Sequence, residues 1–99
     1  MAITANVDLG NGVTASSCYI IVPNAYVKKF DDDSFKLIYD VHIYKDALDR
    51  ATNLQTKHIR CPNVDHFKID YDTSASDNPF VLAYTHLKTN GSLSSVADV

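Results

Sequence analysis

Apolar and polar residues alternate along most of this chain with the period of two that half-buried β-strands require. Ile3, Ala5, Val7 and Leu9 share one face of a strand read from Ala2 to Leu9. Gly10-Asn11-Gly12 follows, an Asn-Gly turn signal between two apolar runs, which predicts a hairpin. The second strand runs from about Val13 to Val22 and ends in the apolar block Tyr19-Ile20-Ile21-Val22. Pro23-Asn24 interrupts it, since proline cannot donate to a ladder, and "AYVKKF" continues in the sheet after a bend. Asp31-Asp32-Asp33-Ser34 reads as a solvated turn: contiguous carboxylates without glycine do not match the alternating ligands of a calcium loop.

The clearest strand is Phe35 to Lys45. Phe35, Leu37, Tyr39, Val41 and Ile43 form its apolar face, and Lys36, Asp40 and His42 form its wetter face. Ile38 and Tyr44 break that wetter face: they meet either a second layer or a neighbouring subunit, or are ordinary scattered exposed apolar residues, and the second of these makes them candidate inter-subunit contacts. Lys45 to Asn53 is polar and reads as one helical turn or a loop. Leu54 to Cys61 and Val64 to Tyr71 are two further strands, and the polar segment 72–78 is a loop.

The period then changes. Asn78 is a good N-cap, Pro79 suits the first helical position, and Asn90-Gly91 supplies a stop. Phe80, Ala83, Tyr84 and Leu87 fall at i, i+3, i+4 and i+7, the stripe by which an amphipathic helix packs. A helix this short needs tertiary partners, and the sheet is the available one. The expected fold is therefore one mainly β domain over 1–99. It is an antiparallel β-sandwich or open barrel of about five to seven strands with one short C-terminal α-helix. Strands occupy about 2–71, the helix about 79–89, and a polar, mobile or extended tail 90–99.

Composition narrows the function classes. Nine basic against twelve acidic residues give a formal charge of −3, which argues against nucleic-acid binding. No apolar run approaches the roughly 20 residues of a transmembrane helix, so no membrane partner is expected. "MAITANVDLG" lacks the basic and apolar regions of a secretory signal, so folding in a cytoplasm is expected. Cys18 and Cys61 then read as buried thiols, although sequence leaves open whether they pair. His42, His58, His66 and His86 follow no metal-ligand spacing and read as surface or cross-strand polar residues; His58 and His66 flank a predicted turn. No nucleophile, phosphate-loop or dinucleotide motif is present, so neither an enzyme nor a cofactor is expected. The six tyrosines suit strands and interfaces alike.

Three pieces of the chain carry a family resemblance: "MAI" with a strand and an Asn-Gly hairpin before "CYIIV"; the aromatic strand "VHIYKDA"; and "AYTHLKT" with the ending "ADV". In that order and at this length they resemble small structural proteins of tailed bacteriophages, encoded among tail and baseplate genes. The helix motif runs here into Asn90-Gly91-Ser92 rather than the Leu-Pro-like segment of those proteins. The resemblance implies a non-enzymatic virion component of a tail, neck or baseplate, made in the host cytoplasm. It implies a symmetric homo-oligomer in contact with other virion proteins, and no active-site residues. Two other readings stand beside it: a small acidic phage protein that inhibits a host protein, and a carbohydrate or receptor-contact module whose exposed tyrosines stack on sugars.

Overall fold

The computed structural model describes residues 2–10, 12–53, 59–61, 63–74 and 78–99. The fold is mainly β, with seven strands in two antiparallel sheets among the described residues. The strands are β1 (Ile3–Asp8), β2 (Thr14–Ile21), β3 (Ala25–Lys29), β4 (Phe35–Asp40), β5 (His42–Tyr44), β6 (His66–Asp70) and β7 (Leu93–Asp98); the helices are α1 (Ala47–Asn53) and α2 (Pro79–Leu87). One sheet has the order β5-β2-β1-β7 and the other β3-β4-β6.

The alternating stretch from Phe35 to Tyr44 is a single extended run that changes sheets. It leaves the second sheet at Asp40 and enters the first at His42. Val41 bridges them, its amide donating to the Asp65 carbonyl at 2.7 Å. Period two persists through the crossing, so Leu37, Tyr39, Val41 and Ile43 all point into one core. The partner run bends at the same level: β2 ends at Ile21 and β3 begins at Ala25, with Pro23-Asn24 between them. The bend expected at Pro23 is therefore a sheet-to-sheet corner. The two runs form one long antiparallel ribbon, pairing Ile21 with His42 before the corner and Ala25 with Tyr39 after it. Strands that switch sheets in this way make the corners of packed two-sheet folds.

The predicted hairpin joins β1 to β2. Gly10 (φ +92°) and Gly12 (φ +81°) occupy the region that favours glycine, and Leu9 N–H donates to Val13 at 2.9 Å. Strand β1 is flanked by two bulges, one in β2 around Ser17 (φ +53°) and one in β7 around Ser95 (φ +52°). The Asn6 side chain accepts from the Ser17 amide at 2.9 Å and so satisfies a donor the bulge takes out of the ladder.

Segment 93–98 of the predicted tail is extended, and as β7 it completes the first sheet beside β1. The polar segment after Tyr44 forms α1, two turns where one turn or a loop was expected. The predicted strand from Leu54 to Cys61 lies largely outside the described residues, with Ile59 bridging Ile43. The predicted C-terminal helix is α2: Asn78 caps it by accepting from Val81 N–H at 3.0 Å, and Pro79 opens it. Ala83, Tyr84 and Leu87 are buried in the core, as their spacing requires. Phe80 is a correction to the stripe: it lies in the first turn of α2, at the end of the helix, and is 41% exposed.

Candidate functional site

The two residues expected at an inter-subunit surface lie inside the chain. Tyr44 is fully buried and Ile38 is 6% exposed. Ile38 stands on the outer face of the second sheet between Tyr26 and Lys68, its cross-strand neighbours. Phe30 lies within 5.5 Å of the Lys28 ammonium and 5.2 Å of that of Lys68, on the strands either side of β4, and this roofs the middle strand. Tyr44 faces away from the main core. Its ring is closed over by the Arg50 guanidinium of α1, 5.7 Å from the ring centroid. Neither side chain is an exposed contact.

The same helix bounds a hollow of about 540 Å³ between α1, the end of β2 and α2. Tyr19, Pro23, Ala47, Arg50 and Tyr84 line it. Tyr19 is the ladder partner of Tyr44, so the two side chains leave the same face of the sheet. The Tyr84 hydroxyl accepts from the Val22 amide at 2.8 Å, and burial pushes its own ionisation up. Arg50 is half-buried and makes no ion pair among the described residues. The Tyr19 hydroxyl makes no hydrogen bond among them. Sequence reasoning missed this set. Arg50 lies in a polar stretch with no motif, and only the fold brings it over Tyr44.

A second groove of about 310 Å³ runs between α2 and the β4–β6 edge. Leu37, Ile69 and Leu82 form its apolar floor, and Asp70, Thr85 and His86 its rim. His86 Nδ1 meets the Tyr39 hydroxyl at 2.5 Å. Phe67 stacks on Tyr39 and meets His86 edge-on. Burial raises the Tyr39 hydroxyl well above its ordinary range.

The remaining histidines are dispersed. His66 meets Asp40 at 2.5 Å on the outer face of the second sheet. Burial alone would raise the Asp40 carboxyl, but the His66 and Asn24 hydrogen bonds and the charges of His66 and His42 outweigh it and leave it low. His42 lies edge-on to Tyr44, and His58 is outside the described residues. No group of three or more His, Cys or Asp side chains is placed to hold a metal among the described residues. Cys18 and Cys61 are free thiols, both buried, and burial raises that of Cys18. No helix among the described residues is long and apolar enough to cross a membrane. No family model, curated protein or solved structure matches the chain.

Proposed function

We propose that this chain is a non-enzymatic structural protein of a tailed-bacteriophage virion, a tail, neck or baseplate component that assembles as a symmetric oligomer. The sequence resemblance supports the setting, and the outer edge of β7 is the observation that carries the assembly. The other edges are guarded. β3 carries Lys28 and Lys29, β6 carries His66, Lys68 and Asp70, and β5 is three residues long and bridged by Ile59. Charged side chains and short length are the usual defences of an unpaired strand. β7 is six residues long and presents Ser94, Ser95 and Ala97, with a single charge, Asp98, that is held by Lys88 at 2.6 Å. The bulge at Ser95 breaks this edge, and the stretch beyond it, Val96 to Asp98, is the part open to a further strand, which a second copy under a rotation axis supplies.

Quantitative mass spectrometry of purified particles from the source phage tests the setting. A fixed ratio to the tail proteins supports it, and absence from particles overturns it. Sedimentation of the isolated protein tests the edge. Ala97→Lys should leave the subunit folded and shift it toward monomer; an unchanged oligomer overturns β7 as the contact.

A further inference from the structure

We propose that the hollow beneath α1 is a binding site for a carboxylate, held by Arg50 with the Tyr19 hydroxyl beside it. The Arg50 guanidinium is half-buried at this hollow and makes no ion pair among the described residues. Arg50 is not loose. Its position over the buried Tyr44 ring fixes it, and a guanidinium over a ring keeps its edge N–H groups for in-plane hydrogen bonds. A carboxylate is the planar two-oxygen anion that such a fork matches. Tyr19 lines the same hollow and its hydroxyl is able to donate to one of the two oxygens.

The charge count selects the anion. Arg50 is the single cation among the described lining residues, and none of these residues is a glycine. One guanidinium balances a carboxylate, whereas a phosphate monoester carries close to two charges. The volume, about 540 Å³, admits a ring or short chain attached to the carboxylate, and Pro23 and Ala47 offer apolar wall to it. The carboxylate has two sources with the same chemistry: a free small acid, or an aspartate of a second copy of this chain.

Benzoate is the probe, with benzamide as its neutral counterpart of the same shape. In a two-dimensional amide spectrum, benzoate should produce saturable shifts at Val22, Ala47, Arg50 and Ala51, and benzamide should not. Arg50→Gln should weaken benzoate by about tenfold or more, the loss expected when a charge-assisted pair is removed. Arg50→Lys keeps the charge over Tyr44, and amide dispersion in both variants reports that the fold is intact. Equal response to benzamide, retained affinity in Arg50→Gln, or no shift with benzoate overturns the site. Sedimentation separates the sources. Benzoate that dissociates an oligomer identifies the natural carboxylate as a neighbour's aspartate, and benzoate that binds without changing the size identifies a free acid.

Discussion

The Tyr84 hydroxyl accepts a 2.8 Å hydrogen bond from the Val22 amide, 62 residues earlier in the chain. Val22 is the last residue before Pro23, so this bond anchors α2 to the corner where the ribbon passes from one sheet to the other. A phenylalanine at 84 keeps the ring packing and strands a buried N–H. Tyr84→Phe should cost about 1–3 kcal/mol, the penalty of an unsatisfied buried donor. Urea unfolding with an unchanged slope is the measurement.

The stripe on α2 makes unequal contributions. Leu87 is fully buried in the core and Phe80 is 41% exposed. Leu87→Ala should cost about 2–5 kcal/mol through lost contact and cavity, and Leu87→Asp should unfold the chain. Phe80→Ala should cost under about 1 kcal/mol, as most exposed substitutions do. Thermal unfolding of the three variants would show the order.

Much of this fold was legible because alternation is a direct consequence of strand geometry. The core residues of β1 and the ribbon follow from it, and the caps of α2 follow from Asn78 and Pro79. The sheet switch at Val41 was hidden, since the pattern runs through it unbroken. β7 was hidden because Leu-Ser-Ser-Val-Ala-Asp has weak strand propensity, and its place is set by pairing with β1. Tyr44 was read as exposed because periodicity assigns a face and not what covers it. The cover is α1, whose one large apolar residue, Leu48, is 75% exposed and gives no sign of the face that packs. The hollow at Arg50 was illegible for the same reason: it is made by tertiary adjacency of β2, α1 and α2.

Burial of Tyr44 changes what its replacement does. The ring is fully enclosed and lies under Arg50. Tyr44→Asp should therefore unfold the subunit rather than only weaken assembly, since it removes a fully buried ring and leaves a cavity lined in part by a desolvated carboxylate. Circular dichroism of the variant at neutral pH decides this: a folded spectrum contradicts the enclosed site.

The Asp40–His66 pair predicts a small acid sensitivity. The Asp40 carboxyl is held below its ordinary 3.8, so its stabilisation is present above about pH 4 and is lost as pH falls through the lower folded value. Both side chains are more than a third exposed, which limits the effect to under about 1 kcal/mol. Asp40→Asn should lower stability at neutral pH by that amount and flatten the decline in acid. Urea midpoints measured from about pH 6 down to about pH 2.5 would reveal it.

Tyr39 gives the opposite limb. It is fully buried and touches His86 on α2, and burial raises its hydroxyl above the ordinary 10.0. A raised folded value favours the neutral form, so this stabilisation is complete below about pH 10 and is lost as pH rises toward the folded value. Ionised Tyr39 would be a buried anion without a described cation beside it, which drives alkaline unfolding. Tyr39→Phe should cost about 1 kcal/mol at neutral pH through the lost hydrogen bond to His86. It should also move the alkaline unfolding midpoint upward, leaving Tyr84, also raised by burial, as the next group to fail. Tyrosinate absorbance followed with circular dichroism across an alkaline titration tests both. In the wild type, part of the absorbance should appear only as the fold is lost, and that delayed fraction should shrink in Tyr39→Phe.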